Sequence, residues 1–143
     1  MKVIPTDFVI PRAMLSLDNY SNLSAAHPWV NASQFRSWYM VFILGTNGAT
    51  SINFKMQQAT SVLGSGAKDI VGKIYTHADA ATGQRIFTHV IKSEELDQAN
   101  GFSWIRGRVE VTGGTSTQVT GILYGFEPVQ RTAKEYAIVE VLN

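Results

Sequence analysis

Residues 35–44 read FRSWYMVFIL, and residues 45–58 continue as GTNGATSINFKMQQ. The first stretch is rich in aromatic and β-branched residues, which favour strands. In the second, Ile52, Phe54 and Met56 alternate with polar residues, so that one face of a strand is buried and the other is wet. Asn-Gly at positions 47 and 48 favours positive φ and predicts a hairpin between the two strands.

The same pattern continues to residue 143. It predicts further strands over residues 69–76, 84–91, 102–112, 118–126 and 135–142, with a helix as the alternative for the last. The turns at 79–83 and 113–114 predict two more hairpins, and Ser93 is expected to cap a short helical turn over 93–97. About seven or eight strands with no helical crossovers indicate an all-β fold, a jelly-roll or Greek-key sandwich or barrel.

The first 34 residues differ from this pattern. Pro5, Pro11 and Pro28 interrupt them, and residues 16–33 are rich in Ser, Asn and Ala without a period. Each proline fixes its own φ and keeps the preceding residue out of the helical region. We therefore expect an extended, irregular N-terminal arm over residues 1–34, with at most a short edge strand near Val9, and a single β-sandwich domain over 35–143.

Composition narrows the function classes. The chain has no cysteine, 45% apolar and 16% charged residues, and a net charge of +1. A charge this small does not favour nucleic acid as a partner. The longest apolar run, residues 38–44, is far shorter than the roughly 20 residues of a membrane span, and no signal peptide is visible. The low charge indicates that some surface is buried against a partner.

No catalytic or cofactor site is predicted. His77 and His89 would face each other if their strands formed a hairpin, but metal sites need three or four converging ligands. Residues 64–68, GSGAK, lack the spacing of a phosphate-binding loop, and the acidic residues of 93–97 are better explained as a solvated helix cap. No G-x-S-x-G elbow is present. We expect neither an enzyme nor a metal.

Candidate contact residues come from two places. Residues 102–108 place aromatic and arginine side chains on one strand face, a combination common in interface hot spots, and the arm carries large apolar residues without an obvious place in a core. The predicted interface residues are Phe8, Tyr20, Trp29, Val30, Trp104, Arg106 and Arg108.

Three segments carry a resemblance: GSGAKDIVGKI (64–74), SEELDQANGFSWIRGRVEV (93–111) and TGILYGFEPVQR (120–131). In texture and layout the chain resembles the jelly-roll cement or decoration proteins of tailed phages. The resemblance implies a non-enzymatic virion protein on the capsid exterior, made in the host cytoplasm. It also implies a homotrimer that binds the major capsid protein, without nucleic acid, membrane or cofactor.

Two other classes remain open. A carbohydrate- or host-binding β-sandwich would need exposed Trp38, Trp104 or Tyr124 in a flat platform. A cupin-like β-barrel enzyme would need His77 and His89 directed at a shared metal.

Overall fold

The computed structural model describes residues 9–20, 24–78, 85–114 and 116–129, and these build two antiparallel sheets. The first sheet contains β1 (Val9–Tyr20), β4 (Phe35–Leu44), β7 (Ile86–Lys92) and β9 (Thr117–Pro128). The second contains β2 (Ser24–Ala26), β3 (Val30–Asn31), β5 (Ser51–Ala59), β6 (Lys68–Ala78) and β8 (Trp104–Thr112).

The strand order defines the fold. The first sheet runs β1-β9-β4-β7 and the second β2-β8-β5-β6, with the short β3 also pairing with β8. Most connections therefore cross from one sheet to the other, which is the double Greek-key arrangement of a jelly roll. The predicted all-β jelly-roll sandwich is confirmed, and the strand bounds at residues 35–44 match the prediction.

The core lies between the sheets. Trp38, Met40 and Phe42 point inward from β4, opposite Ile52 and Phe54 of β5, and all five are fully buried. The Phe54 ring stacks on Phe87 of β7 with centroids 4.3 Å apart. Each buried large side chain stabilises the fold by about 1.5–3 kcal/mol relative to exposure. The alternation of Ile52, Phe54 and Met56 with polar residues thus predicted the inward face of this part of β5 correctly.

The predicted hairpin at Asn47-Gly48 is wrong, because β4 and β5 lie in different sheets. Neither residue adopts the positive φ that the turn requires. Instead the Asn47 carboxamide accepts the Ala49 amide at 3.0 Å, and the Gly48 amide donates to Thr117 Oγ1 at 3.2 Å. The segment is therefore fixed to the start of β9 rather than closed on itself.

The other two predicted hairpins are wrong for the same reason. β6 and β7 belong to different sheets, as do β8 and β9, and the sequential pair that does form a hairpin is β5–β6. At the β8–β9 connection, Gly113 and Gly114 have φ values of 67° and 72°. A Cβ at Gly114 would lie within van der Waals overlap of the Gly48 carbonyl. Gly113 and Gly114 therefore allow the β8–β9 connection to pass in contact with the β4–β5 connection.

The expected irregular arm is largely wrong. Residues 9–20 form β1, which pairs with β9 at the edge of the first sheet, and residues 24–26 and 30–31 pair with β8. Pro11 is tolerated because an edge strand has one unpaired side, and the register shifts between Pro11 and Ala13. Residues 1–8 and the predicted strand over 135–142 lie outside the described residues.

Three short 3₁₀ turns complete the described chain: Ala32–Gln34, Ser93–Glu95 and Gln98–Asn100. Ser93 is not the cap that was predicted, because its hydroxyl donates to the carbonyl of Phe35 at 2.8 Å. The Glu95 carboxylate accepts the Lys92 amide instead, at 2.7 Å. No helix in the described part of the chain is long and apolar enough to cross a membrane.

Candidate protein interface

The outer surface of the second sheet carries the predicted aromatic and arginine face. Ile105, Gly107 and Val109 of β8 point inward, and Trp104, Arg106 and Arg108 are half-buried on the outside, as the alternation predicted. The guanidinium groups of the two arginines already form hydrogen bonds within the chain. Arg106 donates twice to the Gln57 carboxamide oxygen, at 3.0 and 2.9 Å, and Arg108 donates to Ser24 at 3.1 Å.

A cross-strand ion network continues this surface. Lys55 of β5 lies between Asp69 of β6, at 3.2 Å, and Glu110 of β8, at 2.9 Å. Burial lowers the pKa of Lys55, but the bonds to the two carboxylates outweigh it and raise the pKa above its ordinary value. The bond from Lys55 lowers the pKa of Glu110. Lys55 and Arg108 are therefore matched by carboxylates within the sheet, whereas Arg106 is bound by the neutral Gln57 carboxamide.

Trp29 and Val30 are accounted for by contacts within the domain. The Arg106 guanidinium stacks over the Trp29 ring at 4.4 Å from its centroid, and Val30 packs against the core. Of the other predicted contact residues in the arm, Phe8 lies outside the described residues. Tyr20 ends β1 opposite Thr117. A role of these residues in binding stays a prediction.

His27 joins the second sheet to the segment that follows β2. Its ring is buried, Nε2 accepts the Gly107 amide at 2.7 Å, and Nδ1 lies 2.7 Å from the Pro28 carbonyl oxygen. A ring that accepts at Nε2 carries its proton on Nδ1 and is neutral. Burial, with a smaller contribution from the nearby Arg106 charge, lowers the pKa of His27 from 6.5 to about 4, although the bond to the Pro28 carbonyl partly opposes the shift. His27 is a structural residue.

His77 and His89 lie on strands of opposite sheets, not on a hairpin. The His77 ring packs edge-on against Phe87 at 5.2 Å, and His89 Nε2 lies 3.0 Å from the Phe54 carbonyl oxygen. Burial lowers the pKa of His89. Among residues 9–20, 24–78, 85–114 and 116–129, no group of three or more His, Cys, Asp or Glu side chains is placed to hold a metal ion.

The outer surface of the first sheet is mostly apolar, with Thr88 and Thr120 among the apolar side chains and Ser37 and Lys92 at one end. Alternate residues of its four strands point away from the core and are exposed or half-buried. We call this surface the outer apolar face: Met14, Tyr39, Val41, Ile43, Ile86, Val90, Ile122, Tyr124 and Phe126. Exposed fractions reach 60% at Met14, 59% at Ile86 and 50% at Val90. Contiguous apolar surface of this kind marks contact sites.

A groove of about 500 Å³ lies at one end of this face, lined by Ser37, Trp38, Tyr39, Val90, Phe126 and Glu127. The rings of Tyr39 and Phe126 form its wall, edge to face with centroids 6.0 Å apart. Trp38 lies at its base and is fully buried, with its indole N–H donating to the Ala32 carbonyl at 3.2 Å. Trp38 therefore cannot serve as the exposed platform expected of a carbohydrate-binding sandwich.

The sequence did contain a signal for this face. In FRSWYMVFIL, Tyr39, Val41 and Ile43 are apolar, and so are the residues that alternate with them. Both faces of this part of the strand are therefore apolar. A strand that is apolar on both faces is expected to be covered on both. Since the second sheet covers only the inner face, the outer face lacks cover from the described chain.

No protein-family model matches the chain, and no curated protein matches it. Among solved structures, a carbohydrate-binding module specific for non-crystalline cellulose aligns with a TM-score of 0.52 and 10% identity, over 80% of this chain and 74% of the module. The coat protein of Tobacco streak virus aligns with a TM-score of 0.36 and 10% identity, over 98% and 99%. A pilus structure of Bacillus endospore appendages aligns with a TM-score of 0.48 and 9% identity, over 85% and 89%.

Identities this low show the fold alone, and the alignment with the cellulose-binding module supports a β-sandwich. The three neighbours are β-rich binding or structural proteins. The chain is a jelly-roll sandwich whose described part carries the outer apolar face and contains no group of residues placed to hold a metal ion.

Proposed function

We propose that this protein is a non-enzymatic structural protein of a virus particle, which attaches to the capsid shell as a decoration protein. The observation that carries the proposal is the outer apolar face, an uncovered sheet surface in a chain of low charge. A protein surface is the partner that such a face fits, because burying it against another apolar surface stabilises the complex without desolvating a charge.

The binding of several copies at once would provide the affinity for the shell. Several copies on a symmetric shell bind as a connected set, and each further contact adds to the attachment at a high effective concentration. The sequence resemblance implies a homotrimer whose binding partner is the major capsid protein. The charged outer surface of the second sheet, with its matched ion pairs, would then face solvent.

The test is attachment to empty shells assembled from the major capsid protein of the same virus. Tyr39→Ser combined with Ile122→Ser replaces two of the nine side chains of the outer apolar face with polar ones and leaves the buried core residues unchanged, and co-sedimentation with shells should fall at least about tenfold. The matched control is Val71→Ser on β6, where the side chain is 93% exposed and lies in the other sheet. Equal attachment of the face variant and the control would overturn the proposal.

A carbohydrate-binding role is the second candidate, and the edge-to-face pair of Tyr39 and Phe126 beside half-buried Tyr124 favours it. Sugar rings present apolar faces that pack on aromatic side chains. Affinity electrophoresis in gels that contain soluble polysaccharides tests this role. Retardation of the wild type that Tyr124→Ala abolishes and Trp104→Ala preserves would favour it over shell attachment.

A further inference from the structure

β7 is an outer strand of the first sheet. It pairs with β4 along one side, and none of the other described strands pairs with it. In an antiparallel ladder, alternate residues direct both backbone groups toward the partner, and the residues between them direct both away. The Leu44 amide donates to the Arg85 carbonyl at 2.7 Å, so the odd-numbered residues of this segment face β4. Thr88, Val90 and Lys92 therefore direct their amides and carbonyls to the other side.

Two side chains occupy part of that side. The Lys73 ammonium donates to the Val90 carbonyl at 2.6 Å, and the Glu95 carboxylate accepts the Lys92 amide at 2.7 Å. Lys73 and Glu95 also form an ion pair, with 3.0 Å between Nζ and Oε1. A neighbouring strand would bond to the same two backbone groups with an amide and a carbonyl of its own. We call Lys73 and Glu95 the edge cap, because together they take the position of a strand along this part of β7.

A bulge in β6 brings Lys73 to this position. The register of β6 against β5 shifts between Asp69 and Ile74, and residues 70–73 are not paired with β5 there. Gly72 has a φ of 75°, in the left-handed region that favours glycine. A bulge bends its strand and changes the direction of a side chain, and here Lys73 crosses from the second sheet to the first. Only 19% of the Lys73 side chain is exposed, which limits the screening of the ion pair by salt.

The Glu95 carboxylate of the edge cap stays ionised at neutral pH. Burial raises the pKa of Glu95, but the hydrogen bonds from the Lys92 amide and from Lys73 outweigh it and lower the pKa below its ordinary value. Hydrogen bonds that involve a charged group are roughly twice as strong as neutral ones. A strand that replaced the edge cap would therefore exchange two strong bonds to β7 for two weaker ones.

The sequence of β7 explains why such a cap is needed. Residues 86–92, IFTHVIK, are mostly β-branched or aromatic and contain neither proline nor glycine. Segments of this kind pair readily with a second molecule when they lie at an open sheet edge. Proteins prevent this pairing with charged side chains and bulges at the edge. The edge cap combines both, because a bulge in one sheet supplies a charge to the edge of the other.

We propose that the edge cap is an autoinhibitory contact, which keeps β7 from pairing with the same strand of a second copy. Two β7 strands would pair antiparallel about a two-fold axis, so that the contact would close after two molecules. This inference goes beyond the proposed function. It concerns free copies, and attachment to a shell through the outer apolar face does not depend on it.

Removal of the Lys73 ammonium tests the proposal. Lys73→Met keeps most of the length of the side chain but cannot donate to the Val90 carbonyl. The matched control is Lys68→Met, which removes the ion pair that another lysine of β6 forms with Asp97. Sedimentation velocity over a range of concentrations measures association beyond the mass of the wild-type protein. We expect a dissociation constant for Lys73→Met at least about tenfold lower than for Lys68→Met or the wild type.

Amide hydrogen exchange locates the contact in the Lys73→Met protein. The amides of Thr88 and Val90 should exchange more slowly as the protein concentration rises, because a second strand would bond to that side of β7. Equal association of Lys73→Met and Lys68→Met would overturn the proposal, and so would association that leaves the exchange of both amides unchanged.

A second substitution should reverse the association. Thr88→Pro removes an amide that points away from β4, a position where an edge strand tolerates proline. Lys73→Met combined with Thr88→Pro should therefore return to the wild-type mass. Persistent association of a double variant that unfolds in urea as cooperatively as Lys73→Met alone would also overturn the proposal.

Discussion

The buried, neutral His27 predicts how stability depends on pH. The folded protein keeps the ring unprotonated to about pH 4, whereas the unfolded chain takes up a proton below about 6.5. The unfolded state therefore binds more protons between these values, and the free energy of unfolding falls as the pH drops from about 6.5 to about 4. The linkage amounts to roughly 2.5 kcal/mol of stability lost between pH 7.5 and 4.5 from this residue.

His27→Gln isolates the contribution. A glutamine does not titrate, and its carboxamide oxygen can accept the Gly107 amide in place of Nε2. Urea unfolding followed by tryptophan fluorescence at pH 7.5 and 4.5 should show a loss of stability about 2–3 kcal/mol smaller in the variant than in the wild type. His89 also titrates with a lowered pKa, so both proteins keep its share of the pH dependence.

Equal pH dependence in the two proteins would show that His27 does not cause the loss of stability. An NMR titration of the His27 ring protons gives a direct measure. A midpoint near 6.5 in the folded protein would show that the ring is not held neutral by burial and by the Gly107 amide.

Three further substitutions test the packing, each by urea unfolding at pH 7.5. Gly125→Ala should destabilise by about 1–3 kcal/mol, because its Cβ would lie 2.5 Å from the buried Phe35 ring; a neutral result would show that the ring moves freely. Glu127→Gly should stabilise the folded protein by roughly 0.5–1 kcal/mol, because Glu127 has a φ of 53°, which is unfavourable for a residue with a Cβ; a loss of stability would contradict this. Trp29→Ala should cost about 2 kcal/mol through the lost stack with Arg106, and Trp29→Phe less than half of that; equal losses would refute the stacking argument.

The strands were predictable because their signals are local. The alternation in residues 51–58 and the apolar stretch 35–44 are set by which side chains enter the core, and the structure has strands at both places. Which of the two sheets each strand joins was not predictable in the same way. β4 does not pair with β5 because β7 and β9 occupy both of its edges, and no pattern near position 48 contains those distant strands.

The same limit applies to the candidate site. Trp104, Arg106 and Arg108 were placed on the correct face, but Gln57 and Ser24, which bind the two arginines, come from distant parts of the chain. The strand over residues 9–20 was not predicted, because Pro11 and the polar residues obscure its pattern and its partner, β9, is the last described strand. The outer apolar face could have been predicted from the sequence of β4 alone, because the residues on both faces of that strand are apolar.

The pairing of β1 with β9 has a consequence for how the chain is made. Val9 has Phe126 as its partner, so β1 cannot pair until β9 has left the ribosome. Folds dominated by such distant pairings fold slowly, and their unpaired edges are prone to aggregate meanwhile. Met14, already apolar on the outside of β1, would be exposed throughout that interval. Yield on expression should therefore depend strongly on temperature and on the chaperones that reach the emerging chain.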